Sequence, residues 1–327
     1  MAKKIVYNER TGMFEEKEVS STGKTIGILL LAIVIITLLV LSIRSCIDYN
    51  SYSSNSYDKN NEAVIEDNDT TYIEEVVEVA EEEDYIPPFN YETLSYFKRS
   101  DHAEIELKVD FPSGESLLAD SVRKHINNLL GDEYYDIQSD GEGMINHFGR
   151  TSFNEYEQMH QESVDDSDLF EDSPFSLKKE IVVTCLRERY LTYLCTFYLW
   201  TGGVHGMGGE FGLTFNKLSG RQIDYSFFRN LESRSFKQLL KAGLKRYFIE
   251  NDWEASTDEE FAECLQGVDD INDIPLPCAD PYFTSQGIKF IYGSYEISSY
   301  SAGYPSFILP YEEAQPYLSE EAFGLIE

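Results

Sequence analysis

Hydrophobic residues form one long uninterrupted segment near the start of the chain. Residues 25–43 read TIGILLLAIVIITLLVLSI, without a charged side chain. At about 1.5 Å per helical residue, this length matches the hydrocarbon thickness of a bilayer. Arg10, Lys17 and Lys24 precede the segment, whereas Arg44 is the basic residue directly after it. Because basic residues stay on the cytoplasmic side, the pattern predicts one membrane-spanning helix with a cytoplasmic N-terminus.

Two alternative interpretations of this segment are a cleaved signal peptide and a lipoprotein site at Cys46. A signal peptide has a shorter apolar core and a small-residue cleavage site, which Ile43-Arg44-Ser45 does not supply. Arg44 also argues against lipid attachment at Cys46. The sequence therefore favours a retained single-pass anchor in the cytoplasmic membrane, with the C-terminal domain outside.

The residues on either side of the anchor differ in character. Residues 1–24 form a short cytoplasmic tail with hairpin-like alternation around residues 10–12. Residues 44–90 are polar and acidic, with eleven acids and no Lys or Arg between Glu62 and Asp84. Charge repulsion and a shortage of bulky apolar residues predict an extended, disordered linker there.

After the linker, the pattern becomes that of a folded domain. Alternating apolar residues predict a strand: Ile105, Leu107, Val109 and Phe111. Apolar residues at three- and four-residue spacing then predict a helix capped by Gly131: Leu118, Val122, Ile126 and Leu129. Residues 144–161 predict a second helix. We expect residues 91–175 to form a small strand–helix lobe.

The strongest β signal follows this lobe. Residues 181–186 and 190–200 are rich in β-branched and aromatic side chains and bracket a charged turn. Apolar patterns predict a helix at 236–248 and further strands at 211–215, 288–292, 295–297 and 307–309. Strands and helices mix without βαβ regularity. The sequence therefore predicts an α+β fold with a mostly antiparallel sheet, and a C-terminal domain over residues 176–327.

The charge of the chain excludes one class of partner. Among 327 residues, 59 are Asp or Glu and 26 are Lys or Arg, which gives a formal net charge of −33. Residues 1–24 carry about +1, so the remainder carries about −34. Such a surface repels nucleic acid and attracts cationic partners. We expect no nucleic-acid binding.

The cysteines show no metal-binding spacing. Five occur in the chain: Cys46, Cys185, Cys195, Cys264 and Cys278. There is no C-x-x-C pair and no His at zinc-ligand spacing, so we expect no metal or cofactor. In an oxidising compartment, Cys264 and Cys278 could form a short-loop disulfide. Cys185 and Cys195 could face each other across a hairpin. Buried free thiols are the alternative for each pair.

A series of short motifs carries a family resemblance. The turn Gly202-Gly203-Val204-His205-Gly206 closes a hydrophobic strand, and an Asn216…Ser219-Gly220 turn leads to Tyr225-Ser226-Phe227-Phe228. The C-terminal strings at 287–290, 295–297, 300–303 and 307–311 complete the set. In this order they resemble the RsiV/PdaC-like extracytoplasmic domain, a domain of unknown function in most members. Residues 102–131 resemble the small domain that commonly precedes it.

The resemblance implies a sensor or binding ectodomain on a membrane stalk rather than a catalyst. The best-understood relatives are anti-sigma factors whose ectodomain binds lysozyme, and the domain also occurs joined to cell-wall deacetylases. This sequence departs from both patterns, because its tail is shorter than a sigma-binding segment and no deacetylase domain is present in it. Val204 also stands where the motif has a smaller residue.

His205 is the main candidate for chemistry, as a general base or metal ligand. No nucleophile motif and no second His at ligand spacing accompany it. We therefore interpret it as a structural His whose ring bonds to the backbone of a tight turn. The glycines of this turn lack phosphate-loop spacing, so we expect Gly202, Gly203 and Gly206 to supply positive φ and close backbone approach.

Three further residues are candidates for a binding site. Tyr295, Glu296 and Tyr300 could line a pocket, because tyrosine offers apolar area together with a polar hydroxyl. The alternative for Glu296 is a core carboxylate that bonds within the fold. We assign no catalytic residue.

Two classes of function follow from these observations. The first is an extracytoplasmic binding or sensor domain for a lysozyme-like or other cationic envelope protein, or for cell-wall material. The alternative is a cell-envelope hydrolase or a structural envelope protein. A carboxylate or His with a perturbed pKa in a deep cleft would favour the hydrolase, whereas a broad acidic surface would favour binding.

Overall fold

The computed structural model describes residues 3–8, 13–18, 86, 88–131, 134–164, 173–203 and 205–327. The predicted anchor at 25–43 and nearly all of the predicted linker at 44–90 lie outside these residues. Among the residues described, no helix has both the length and the apolar character that a membrane span requires.

The N-terminal residues form a two-stranded antiparallel hairpin. Strand β1 (Lys3–Asn8) pairs with strand β2 (Met13–Glu18), with Asn8 opposite Met13. The hairpin predicted around residues 10–12 is therefore confirmed. The chain divides into two compact units, residues 1–81 and 82–327, and this hairpin belongs to the first.

A six-stranded sheet organises the second unit. Its strands are hydrogen-bonded in chain order: β3 (Asn90–Arg99), β4 (Ala103–Ser113), β5 (Phe175–Leu186), β6 (Tyr190–Trp200), β7 (Met207–Asn216) and β8 (Gln222–Ile223). Every neighbouring pair is antiparallel except β4 and β5, which are parallel. The predicted α+β fold with a mostly antiparallel sheet is confirmed.

Two helices connect β4 to β5, because a parallel pair needs a crossover connection. Helix α1 (Leu117–Leu130) begins at Ser116, whose hydroxyl accepts a hydrogen bond from the amide of Ala119. It ends at Gly131, whose φ of 137° favours glycine. Helix α2 (Gly141–Val164) contains the second predicted helix and extends it at both ends.

The C-terminal part adds a three-stranded sheet in the order β11–β10–β9, together with further helices. The elements are β9 (Tyr282–Phe283), β10 (Gly287–Ile291), β11 (Ser306–Pro310), α3 (Arg234–Glu250), α4 (Asp258–Cys264), α5 (Tyr311–Ala314) and α6 (Glu320–Gly324). Short 3₁₀ helices occur at Tyr225–Phe227, Tyr300–Ala302 and Gln315–Tyr317.

Two segments differ from the sequence-based expectation. Strand β3 was not predicted, because its buried positions are few: Leu94 is buried and Tyr96 half-buried in an otherwise exposed strand. The strand predicted at 295–297 is wrong, since these residues form a turn. Tyr295 has a φ of 65°, in the left-handed region that a strand cannot contain.

Two hydrophobic cores share strand β6. Leu191, Tyr193 and Cys195 belong to the core formed with α1 and α2, whereas Tyr190 belongs to the core of the C-terminal part. Because successive side chains of a strand point to opposite faces, one strand can supply both cores. The sequence places the boundary between two lobes at residue 175. Strand β4, which lies before this boundary, pairs with strand β5, which begins at it. Residues on both sides of that position therefore belong to one sheet.

Candidate functional site

Three of the four predicted binding residues lie side by side. The ring of His205 stacks on the ring of Tyr300, with 3.9 Å between centroids and 20° between the planes. Tyr295 lies next to Tyr300, with 5.7 Å between centroids. His205 comes from the loop between β6 and β7, and the two tyrosines come from the loop between β10 and β11.

The glycine-rich loop places His205 in this position. Gly202 and Gly203 have φ values of 88° and 98°, which residues with a side chain rarely adopt. Gly206 serves a different purpose, since a Cβ there would lie 2.3 Å from the ring of Tyr198. The expected positive φ is therefore found at Gly202 and Gly203, and the expected close approach at Gly206.

One carbonyl oxygen joins the two loops. The hydroxyl of Tyr300 donates to the oxygen of Gly206 at 2.9 Å. Nδ1 of His205 lies 3.0 Å from the same oxygen and donates to it when Nδ1 carries the proton. His205 thus has the backbone bond expected of a structural histidine, although its ring is exposed.

Glu296 does not face this surface. Its carboxylate accepts hydrogen bonds from the amides of Gly293 and Cys278, both at 2.6 Å. These bonds hold the turn in which Tyr295 adopts its left-handed conformation. Glu296 therefore positions Tyr295, which corresponds to the alternative interpretation of a carboxylate that bonds within the fold.

The strand register adds residues that the sequence did not reveal. Tyr198, near the end of β6, is 46% exposed, and its ring lies beside Gly206. The hydroxyl of Tyr304 lies beside Gly208, where a Cβ would come within 2.8 Å of it. We call the combined set the tyrosine surface: Tyr198, His205, Tyr295, Tyr300 and Tyr304. Its residues come together through pairing, and no spacing in the sequence marks the set.

A half-buried ion pair lies beside the tyrosine surface. Nζ of Lys289 is 2.6 Å from Oε1 of Glu210, to which the hydroxyl of Tyr282 also donates at 2.9 Å. Burial raises the pKa of Tyr304, and Tyr300 and Glu210 add to this effect. Tyr304 therefore keeps its proton and remains a hydrogen-bond donor.

Of the two alternatives for Cys264 and Cys278, the structure has the free thiols and not the disulfide. The thiol of Cys264 is free and buried, and donates to the carbonyl oxygens of Glu254 and Glu260 at 3.4 Å. It points into the core, whereas Cys278 is exposed. The β5–β6 register places Cys185 opposite Thr192, so Cys185 and Cys195 do not face each other.

Three cavities lie away from the tyrosine surface. Cavities of about 420 and 330 Å³ flank the β5–β6 turn and the C-terminal helix α6, and one of about 450 Å³ lies by Arg221 and Arg229. None of the three is lined by a residue of the tyrosine surface. Across the described ranges, no group of three or more His, Cys, Asp or Glu residues is placed to hold a metal ion.

One carboxyl group has a strongly shifted pKa. Burial raises the pKa of Asp280 to about 6, and the nearby charge of Asp224 adds to the shift. The amide of Tyr225 donates to Oδ1 of Asp280 at 3.3 Å and opposes the shift. Asp280 does not line any of the three cavities above.

Comparisons with known proteins locate two families on this chain. No curated protein matches it. Residues 98–208 match the family model described as deacetylase PdaC. Residues 227–312 match the model described as a protein of unknown function, DUF3298. We call residues 98–208 the PdaC domain and residues 227–312 the DUF3298 domain, after the models that they match.

Two solved structures are similar to this chain. A DUF3298 family member from Bacteroides fragilis NCTC 9343 is 19% identical, with a TM-score of 0.59 over 74% of this chain and 98% of that one. A DUF3298 family protein from Pseudomonas aeruginosa PAO1 is 13% identical, with a TM-score of 0.49 over 73% and 98%. The first likeness shows a shared fold.

The tyrosine surface lies where these two domains meet. Tyr198 and His205 belong to the PdaC domain. Tyr295, Tyr300 and Tyr304 belong to the DUF3298 domain. The surface exists only when both domains are folded against each other.

Proposed function

We propose that this protein is a membrane-anchored, extracytoplasmic binding domain that recognises a cationic protein through the tyrosine surface. The observation that carries the proposal is the exposed aromatic cluster at the junction of the PdaC and DUF3298 domains. Tyrosine is enriched at the energetically dominant positions of protein interfaces. Aromatic ring faces also attract the ammonium and guanidinium groups of a basic partner.

The charge of the folded unit supports the same partner. Residues 91–327 hold 42 acidic and 19 basic side chains, a net charge of −23. Charge of this magnitude on the folded unit steers a basic protein towards it without help from the linker. A lysozyme-like protein is the leading ligand, by the resemblance to lysozyme-binding ectodomains.

The contacts of the candidate residues favour binding over catalysis. His205 contacts the Tyr300 ring and the Gly206 carbonyl oxygen. Glu296 is engaged by two main-chain amides. None of these contacts joins either side chain to a nucleophile, because Glu296 bonds to the amide of Cys278 and not to its thiol. We therefore assign this chain no deacetylase or hydrolase activity.

The proposed location is outside the cytoplasmic membrane, with residues 25–43 as the anchor and 1–24 in the cytoplasm. The support is the uncharged segment and the basic residues before it. Protease added to intact spheroplasts is expected to degrade residues 47–327. If the folded unit is degraded only after lysis, the topology is wrong.

The ligand is tested by titration calorimetry of residues 88–327 against lysozyme, at about 0.05 and 0.5 M salt. A specific interface weakens at the higher salt but survives, whereas purely electrostatic attraction disappears. We expect Tyr295→Ala to weaken binding by about tenfold or more. Tyr135→Ala is the matched control, because Tyr135 is 93% exposed and lies outside the tyrosine surface. Absence of saturable binding at both salts removes lysozyme as the ligand.

A further inference from the structure

Strand β3 lies at one edge of the six-stranded sheet. It pairs with β4 along all of its ten residues, from Asn90 opposite Ser113 to Arg99 opposite Glu104, and the pairing contains no bulge. Among the described residues, no strand pairs with its other side, which we call the free edge. Eight of the ten residues are exposed. A second strand therefore has access to the free edge along its whole length.

The segments that flank β3 do not cover the free edge. Before the strand, Phe89 contacts the ring of Tyr193 in β6, and Ile86 lines a cavity beside the end of β7. Both contacts lie towards the interior of the sheet. After the strand, the amide of Ser100 donates to the oxygen of Ala103 at 2.8 Å, which closes a tight turn into β4. The described residues on either side of β3 thus turn away from the free edge.

The same turn shows which main-chain groups are free. Because Ser100 bonds to Ala103, main-chain groups of even-numbered residues in β3 point to β4. Main-chain groups alternate along a strand, so those of odd-numbered residues point to the free edge. In the described part of the chain, they make no main-chain hydrogen bond outside the sheet ladders. The residues with free groups are Tyr91, Thr93, Ser95, Phe97 and Arg99.

Two charges lie at equal distances from the middle of the free edge. Glu92 is three residues before Ser95, and Lys98 is three residues after it. The next charge, on Arg99, is paired with Glu104 at 2.8 Å. Within the described ranges, no ion pair includes Glu92 or Lys98. Charges usually protect an edge strand by repelling other strands. These two have opposite signs in symmetric positions, so they attract a second copy of the same strand.

The two charges select one register for such a pair. In an antiparallel pair of β3 strands centred on Ser95, each Glu92 lies opposite Lys98 of the second copy. This centre also places odd-numbered residues opposite odd-numbered residues, so the free main-chain groups of both copies meet. A shift by two residues places Lys98 opposite Asn90 or Leu94 and leaves both charges unpaired.

The side chains on both faces of β3 fit this register. Because side chains alternate, Glu92 and Lys98 lie on the face that α2 covers, where Nζ of Lys98 is 3.7 Å from the centre of the Phe153 ring. The ammonium group is therefore held beside the position of the second copy's Glu92. Phe97 lies on the opposite face and is 65% exposed. Thr93 of the second copy lies opposite Phe97 and covers part of its ring.

We propose that two copies of this chain join through their free edges to form one continuous sheet, with a twofold axis at Ser95. The interface uses the same residues of both copies, as twofold symmetry requires. Main-chain hydrogen bonds of the odd-numbered residues supply affinity, as in other cases of strand addition. The two Glu92–Lys98 pairs set the register. The tyrosine surface contains no residue of β3, so this inference is independent of the proposed function.

The register is tested by cysteine crosslinking of the full-length protein in lipid vesicles. Cys46→Ser and Cys278→Ser form the background, and the remaining three cysteines are buried. Ser95→Cys places two thiols across the twofold axis, with Cα atoms about 5.5 Å apart, which a disulfide spans. Thr93→Cys is the matched control, because its two copies lie about 13 Å apart. Mild oxidation is expected to crosslink Ser95→Cys and not Thr93→Cys.

Charge reversal tests the two ion pairs. Glu92→Lys and Lys98→Glu each place like charges opposite each other at both ends of the interface. Each reversal is expected to slow crosslinking through Ser95→Cys by about tenfold or more. The variant that carries both reversals has opposite charges again and is expected to recover the original rate. Both positions are exposed, and circular dichroism melts establish that each variant is folded.

The results decide the proposal in either direction. Crosslinking at position 95 alone, lost on each reversal and recovered in the double variant, supports the dimer. Equal crosslinking at positions 93 and 95, or none at position 95, overturns it. A double variant that crosslinks as slowly as the single ones also overturns it, because the two charges would then not face each other.

Discussion

Tyr295 holds a left-handed backbone conformation, with a φ of 65°, while its side chain is 60% exposed. Such a conformation costs a residue with a side chain about 1–3 kcal/mol, and it persists only where neighbouring contacts enforce it. Glu296 supplies those contacts through its bonds to Gly293 and Cys278. Exposed, strained residues are typical of binding sites, which agrees with the proposed role of the tyrosine surface.

Substitution of Tyr295 separates strain from binding. Glycine adopts positive φ without a steric penalty, so Tyr295→Gly is expected to be about 1 kcal/mol more stable than Tyr295→Ala. Both variants are expected to lose ligand affinity. Urea denaturation provides the comparison. Equal stability of the two variants would show that the backbone at this position carries no strain.

The raised pKa of Asp280 predicts that the stability of the protein depends on pH. Its folded pKa of about 6 lies above the ordinary value of 3.8, because burial disfavours the charged form. The unfolded chain therefore ionises first as pH rises. The neutral carboxyl makes its full contribution to stability below pH 3.8. As pH rises through 6, the free energy of unfolding falls by up to about 3 kcal/mol.

Asp280→Asn is expected to remove this dependence, since an amide can still accept the bond from Tyr225. The free energy of unfolding, measured by urea between pH 4 and 7, should exceed that of the unmodified protein increasingly towards pH 7. Asp269→Asn is the control, because that carboxylate is exposed. Parallel pH curves for Asp280→Asn and the unmodified protein would contradict the assignment.

At the scale of elements, the hairpin of β6 and β7 depends on glycine for packing. A Cβ on Gly212 would lie 2.1 Å from the ring of Tyr282, which is buried and bonded to Glu210. A Cβ on Gly209 would lie 2.4 Å from the ring of Phe197. These glycines thus allow aromatic rings to lie directly on the strand.

Gly212→Ala is expected to destabilise the protein by about 1–3 kcal/mol, because the ring of Tyr282 cannot move without losing its hydrogen bond. Gly324→Ala is the matched control: no atom lies within 4 Å of the added Cβ, and its φ is not positive. Its effect should stay within about 0.5 kcal/mol. The urea concentration at the midpoint of unfolding, at an unchanged m-value, measures the change in stability of each variant. A neutral Gly212→Ala would mean that Tyr282 has room to shift.

The elements that the sequence predicted correctly have a strong periodic pattern of their own. Ile105 to Phe111 alternate along a half-buried strand, and α1 shows both its apolar spacing and its Gly131 cap. The turn at Tyr295 was mistaken for a strand because its cause, the capture of two amides by Glu296, is a tertiary contact. Tyr198 was missed for the same reason, because the β6–β7 register brings it to the surface.

At the scale of the whole molecule, β6 ties the two cores together. Tyr193 packs in one core and Tyr190 in the other. Between them, the buried hydroxyl of Thr192 donates to the carbonyl oxygen of Phe283 at 2.8 Å. If either core unfolds, the face of β6 that packs in it becomes exposed to solvent. The PdaC and DUF3298 domains are therefore expected to unfold together.

Residues 88–327 are expected to fold without the preceding segment and to melt in one cooperative transition. The fragment 88–226, which lacks the whole DUF3298 domain, exposes Tyr190 and Thr192 and should not melt cooperatively. Circular dichroism distinguishes the two fragments. Two separate transitions in the longer fragment, or a cooperative melt of the shorter one, would show that the cores are independent.

The parallel pairing of β4 with β5 has a consequence for the order in which the chain folds as it is made. Strand β4 emerges early and has β3 as its neighbour, but a two-stranded hairpin alone is marginal in water. Its other neighbour begins at Phe175, beyond both crossover helices. Contacts so distant in sequence form slowly, since loop closure must precede them. The edge of β4 that pairs with β5 therefore has no strand partner until β5 has been synthesised.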